Sequence, residues 1–83
     1  MWRLTLYSKP GCCLCDEAKA AIQEFSREWE LQLEEIDITR DDALFQKYRD
    51  DIPVLFLNGQ ELARHRIGIK KLRVLRARQL INP

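Results

Sequence analysis

Ser8-Lys9-Pro10-Gly11-Cys12-Cys13-Leu14-Cys15-Asp16-Glu17 is the stretch from which the rest of the chain is read. Ahead of it, Trp2, Leu4 and Leu6 alternate with Arg3, Thr5 and Tyr7, the period-two signature of a strand. Pro10-Gly11 is a turn pair. From Leu14 the period changes: Leu14, Ala18, Ala21, Ile22, Phe25 and Trp29 fall on one stripe at helical spacing. Glu17, Lys19, Gln23, Glu24 and Arg27 take the wet side. The cysteines therefore sit where a strand ends and a helix opens.

That position carries chemistry. Cys12 and Cys15, at i and i+3, share one face of a first helical turn. Their Cα atoms come within roughly 5 to 6 Å, inside the reach of a disulfide. The helix N-terminus offers unpaired N–H groups and a partial positive charge of about half a unit. Both favour the thiolate, the reactive form of cysteine, so the pattern reads as a redox dithiol. A structural zinc site needs a second pair of ligands. The chain offers only Cys12, Cys13, Cys15 and His65, and adjacent Cys12 and Cys13 meet one tetrahedral ion awkwardly. No metal is expected.

With 83 residues, positions 1–83 make one small domain with a modest core. A charged fraction of 33% beside 46% hydrophobic residues is globular rather than disordered. No run of 18 apolar residues exists, so no membrane span is expected. Met1 to Tyr7 lacks a signal peptide's apolar stretch, and three cysteines within four positions cannot staple distant segments. A cytoplasmic location follows as the expectation. Charge is uneven: residues 1–59 carry 7 basic and 12 acidic side chains, residues 60–83 carry 7 basic and only Glu61. That basic tail coincides with a helical pattern and holds no interleaved aromatics, so it reads as a solvated face without nucleic-acid binding.

Further along, Leu33–Ile38 reads as a second strand, and its alternation slips between Leu33 and Ile36, which implies a bulge or a late start. Thr39-Arg40-Asp41-Asp42 offers caps for a short helix that turns Leu44, Phe45 and Tyr48 inward and stops before Asp50-Asp51. Ile52–Leu57 is an apolar run fit for a strand buried on both faces. Asn58-Gly59 signals a tight hairpin into Gln60–Arg64. After Gly68, Ile69–Ile81 reads as a last helix with Ile69, Leu72 and Leu75 inward. The order β-α-β-α-β-β-α is an α/β fold: a four-stranded mixed sheet with helices on both faces. From the residues alone, Pro53 reads as a trans proline starting its strand, with a cis bond as the alternative.

Tyr7-Ser8-Lys9-Pro10-Gly11-Cys12, Cys15-Asp16-Glu17-Ala18 and Asp51-Ile52-Pro53-Val54-Leu55, in that element order, resemble the small glutaredoxin-like proteins of the thioredoxin-fold superfamily. The likeness covers nearly the whole chain. It implies a thioredoxin/glutaredoxin-like fold with Pro53 cis and beside the cysteines. It implies Cys12 as nucleophile, Cys15 as resolving thiol, Lys9 holding a glutathione carboxylate, and the backbone of Ile52 pairing with an extended thiol peptide. The implied activity is reduction of protein or small-molecule disulfides by a monomer without a tightly bound cofactor. Glutathione, as co-substrate, or a flavoprotein reductase would donate the electrons.

The chain departs from that pattern in two places. Where glutaredoxins carry Gly-Gly-x-Asp after the fourth strand, this chain has Arg64-His65-Arg66-Ile67-Gly68-Ile69. The aromatic usual between the cysteines is replaced by Cys13-Leu14. Cys13 reads as a spare solvent-side thiol and His65 as a surface residue. Two other functions stay open on the sequence. One is a [2Fe–2S] module ligated by Cys12 and a glutathione thiolate at a dimer interface. The other is a redox-inert domain that binds a partner through the basic last helix.

Overall fold

A computed structural model describes residues 2–81. The elements are β1 (Trp2–Ser8), α1 (Cys13–Phe25), β2 (Leu31–Asp37), a one-turn 3-10 helix (Ile38–Arg40), α2 (Asp42–Tyr48), β3 (Val54–Leu57), β4 (Gln60–Arg64) and α3 (Ile69–Ile81). The sheet order is β2-β1-β3-β4. β1 pairs parallel with β2 across the α1 crossover, and β1–β3 and β3–β4 are antiparallel. This is the expected mixed sheet in a thioredoxin-like arrangement.

Alternation in the strands sends side chains to two cores. On one face, Trp2, Leu4 and Leu6 of β1 join Leu55, Leu57 and Ala63 under Ala18, Ile22 and Phe25 of α1 and Leu72 of α3. On the other, Val54, Ile52 and Ile38 pack with Tyr48 of α2, flanked by half-buried Tyr7, Leu44, Phe45 and Phe56. Tyr7 and Tyr48 stack there with ring centroids 4.9 Å apart. Cys15, in the first turn of α1, belongs to this second cluster rather than to the first. The end of β1 thus delivers the cysteines to the place where the two layers meet.

Several expectations need correcting. β2 begins at Leu31 and keeps an unbroken parallel register from Trp2↔Leu31 to Ser8↔Asp37, so it contains no bulge. The slip in its pattern is a change of buried face. Leu31 and Leu33 pack toward α1, whereas Ile36, opposite Tyr7, falls on the α2 side. Ile38 leaves the strand for the 3-10 turn, which Asp37 caps by accepting the Thr39 N–H at 2.9 Å. The irregularity in the sheet lies instead between β3 and β4: Leu55 faces Ala63 but Phe56 faces Glu61, leaving Leu62 as the extra residue.

Leu14, expected in the core, is half-buried and lies outside both clusters. α1 ends at Phe25, so Trp29 reaches the core from the following turn, its ring 5.9 Å from that of Trp2. The hairpin forms as expected, with Asn58 at φ 50° and Gly59 at φ 88°. The Ile52–Pro53 bond is cis, as the resemblance implied and against the trans reading of the residues alone. The proline ring is fully buried, and its C=O accepts the His65 N–H at 2.8 Å, tying the start of β3 to the end of β4.

Candidate active site

β1 runs into Lys9-Pro10-Gly11, and Gly11 turns the chain in a left-handed conformation at φ 78°. Cys12 then takes the N-cap of α1 in extended geometry, φ −93° and ψ 111°. Its Sγ accepts the backbone N–H of Cys15 at 3.3 Å, and its C=O accepts the N–H of Asp16 at 3.1 Å. Sulfur here occupies the position a serine or aspartate oxygen fills in ordinary helix caps. The Cys15 N–H and the positive end of the α1 dipole both face that sulfur.

The three thiols differ sharply in access. Cys12 is half-buried, Cys13 at the first position of α1 is exposed, and Cys15 is 2% exposed. All three are unbridged. Burial, foremost, pushes the Cys15 thiol up to about 12. Its hydrogen bond with Cys12 and the nearby charges of Cys12 and Asp16 add to the rise, while the Lys9 backbone opposes it. The pair therefore has one accessible sulfur with a donor aimed at it, and one sealed sulfur that keeps its proton.

Of the residues singled out from the sequence, Cys12, Cys15 and Ile52 meet in one cluster. Pro53 follows Ile52 directly. The N–H and C=O of Ile52 have no hydrogen-bond partner among the described residues, so this backbone edge stays open. Lys9 is exposed and lines, together with Cys15, a cavity of about 190 Å³. Ser8, Lys19 and Glu35 share that cavity: Ser8 Oγ donates to Glu35 Oε2 at 3.3 Å and Lys19 Nζ lies 3.2 Å from the same oxygen. These three were not read from the sequence. The signal was the inward phase of Ser8, which continues Trp2, Leu4 and Leu6 and is buried.

His65 is an exposed residue, as expected, yet it holds a left-handed φ of 69° so that its N–H can reach Pro53. Asp51, next to Ile52, is 3.2 Å from Arg64 Nη1 and 3.8 Å from His65 Nε2. A larger opening of about 580 Å³ lies along Arg3, Thr5, Gln32 and Glu34. It contains no cysteine or histidine and includes none of the site residues just described, so the chemistry, not the size of the hollow, locates the site. Among the described residues no group of three metal-binding side chains comes together. No helix among them is long and apolar enough to cross a membrane.

Comparison with known proteins identifies the family and the fold. Residues 3–75 match the Glutaredoxin-like domain (DUF836) family. The "Glutaredoxin-like protein YDR286C homolog" of Dictyostelium discoideum is 32% identical over 75 residues, which is 83% of this chain and 69% of that protein. The structure of the protein XcR50 from X. campestris superposes with a TM-score of 0.74 at 32% identity, covering 90% of this chain and 96% of the other. Thioredoxin from Fasciola hepatica, at 20% identity, shares the fold, with a TM-score of 0.62 over 93% of this chain and 79% of its own. The match across nearly the whole chain, with the cysteine pair at the head of α1, makes this chain a member of the glutaredoxin-like family of thioredoxin-fold proteins.

Proposed function

We propose that this protein is a dithiol–disulfide oxidoreductase in which Cys12 is the nucleophile and Cys15 the resolving thiol. The observation that carries the reading is the asymmetric pair: a half-buried Cys12 Sγ receiving the Cys15 N–H at 3.3 Å, and a sealed Cys15 that holds its proton. The Cys12 thiolate attacks one sulfur of a substrate disulfide. A mixed disulfide forms on Cys12, and the other substrate sulfur leaves as a thiolate that takes a proton from solvent.

That step also prepares the next one. Once Cys12 is bound in a mixed disulfide it no longer carries the charge or accepts the hydrogen bond that adds to the effect of burial on Cys15. Cys15 then loses its proton to solvent, its Sγ bonds to Cys12, and the second substrate thiol is released. The substrate has gained two electrons and two protons, and the protein is left as the Cys12–Cys15 disulfide. Two molecules of glutathione, or a flavoprotein reductase, return it to the dithiol.

In this reading the open N–H and C=O of Ile52 pair with the extended backbone of the substrate, and Pro53 presents no N–H beside the sulfurs. Lys9 offers an ammonium to a substrate carboxylate at the cysteine end of the site. The protein works as a monomer in a reducing compartment such as the cytoplasm, with no resident cofactor. The test is NADPH consumption with a model disulfide, run in parallel through glutathione with its reductase and through a thioredoxin reductase. Turnover in either arm that vanishes in Cys12→Ser supports the reading. Full turnover in Cys12→Ser overturns it.

A further inference from the structure

Residues 60–83 hold seven basic side chains, and the fold uses three of them. Arg64 is bidentate to Glu61 at 2.8 and 2.6 Å and also reaches Asp51. Arg73 is bidentate to Glu28, both bonds 2.8 Å, and Arg76 lies 4.5 Å over the Trp29 ring. These clamp β4 to the loop before β3 and α3 to the end of α1. Arg66, Lys70, Lys71 and Arg78 do none of this: all are exposed and make no ion pair among the described residues.

Lys70, Lys71 and Arg78 share the outward face of α3, and Arg66 lies three residues before that helix. Lys70, Val74 and Arg78 follow one another at i, i+4 and i+8 along the outside of α3, about 12 Å end to end, and Lys71 lies beside them. Val74, 50% exposed, is the exposed large apolar side chain among the described residues. The near end of the strip is fixed beside the open Ile52–Pro53 edge. His65, just before Arg66, donates its N–H to the Pro53 C=O at 2.8 Å, and α3 begins three residues after Arg66.

We infer that Arg66, Lys70, Lys71, Val74 and Arg78 form a docking strip for an acidic protein surface, which brings a disulfide held on that protein to Cys12. The inference rests on the dithiol reading above and names its partner class. Charge complementarity selects the occupant: the cations that remain are those with no structural task, and they surround a single apolar contact. Residues 66–78 contain no aromatic side chain, so a nucleic acid has no stacking platform there. Among the described residues one exposed valine gives a lipid surface too little to bury. A small disulfide would not span the strip.

The test compares three disulfides in single-turnover exchange, with Cys13→Ser in every protein so that Cys12 alone reports. The first is neutral 4,4′-dithiodipyridine. The others are peptides with one cysteine activated by thiopyridine, followed by a segment rich in aspartate or in lysine. Thiopyridone release is followed by absorbance, and each peptide rate is divided by the dithiodipyridine rate for the same protein.

The acidic peptide should exceed the basic one by about tenfold at low salt and lose that advantage at high salt. The Lys70→Glu, Lys71→Glu, Arg78→Glu triple variant should reverse the preference. Equal, salt-independent rates for the two peptides in the parent overturn the docking strip even if no variant folds. So does tighter binding of a random-sequence DNA duplex than of the acidic peptide. If dithiodipyridine itself fails to modify Cys12, the dithiol reading fails first and the docking strip with it.

Discussion

The backbone N–H of Cys15 points at the Sγ of Cys12 across 3.3 Å, so in the proposed mechanism the resolving residue also helps hold the attacking sulfur. Cys15 itself is sealed, its thiol pushed up to about 12 by burial and then by its bond to Cys12. In the native reduced protein, iodoacetamide at neutral pH should therefore label Cys12 and Cys13 and spare Cys15. Labelling of Cys15 should rise only above pH 9, and in Cys12→Ala the rise should move to lower pH, since the contributions from Cys12 are gone. Peptide mapping after timed alkylation reads both effects. Equal labelling of Cys12 and Cys15 at pH 7 would contradict the burial argument.

The same asymmetry has a stability consequence. A thiol raised from its ordinary 9.0 binds its proton more tightly in the native state than in the unfolded chain. Its contribution is intact below pH 9.0 and is lost as pH climbs toward 12. Urea melts should show the midpoint falling over that window by less in Cys15→Ala than in the parent, each measured against its own value at neutral pH.

Asp41 caps α2, its Oδ1 accepting the N–H groups of Ala43 at 2.9 Å and Leu44 at 3.1 Å. Removing the acceptor leaves two donors of a seven-residue helix without it. Asp41→Ala should cost about 1 kcal/mol, lowering Tm by about 4–8 °C in a domain of this size. Asp41→Asn, which keeps an oxygen in place, should lose little. A calorimetric scan decides, and equal losses in the two variants would count against a capping role.

Phe25 is fully buried beneath the sheet, 5.8 Å from the Trp2 ring, and ends α1. Phe25→Ala should cost about 3–5 kcal/mol, a large share of the roughly 5–15 kcal/mol that holds a small domain together. Circular dichroism melts should show Tm falling by more than about 10 °C. A loss of only a degree or two would mean that α1 does not seal the larger core.

Most of the architecture was legible because local signals agreed with one another. The change of period at Leu14, the Asn58-Gly59 turn and the apolar run into Leu57 each fixed an element without help from the rest. What misled was information carried between elements. Ile36, opposite Tyr7, falls on the face that α2 packs against, and nothing in residues 31–38 alone reveals that. Leu14 keeps the helical phase but stays half-buried and outside both clusters. The isomer at Pro53 depends on packing around a buried ring, which the resemblance supplied and the local sequence did not.

The site was legible in the same uneven way. Spacing alone paired Cys12 with Cys15, because one helical turn sets their separation. Ser8 and Glu35 are 27 residues apart and meet only through the parallel register of β1 and β2. The basic residues between Arg64 and Arg78 looked alike in sequence. Only the positions of Glu28, Trp29 and Glu61 separate those that hold the fold from those that face outward.

The central claim is that Cys12 takes the substrate sulfur and Cys15 releases it. The most direct measurement is mass spectrometry of Cys15→Ser and of the parent after exposure to glutathione disulfide, with peptide mapping to locate any adduct. The account predicts a persistent glutathione adduct on Cys12 in Cys15→Ser, and a Cys12–Cys15 disulfide with no Cys12 adduct in the parent. An adduct confined to Cys13, or a Cys12 adduct that persists equally in both proteins, would contradict it.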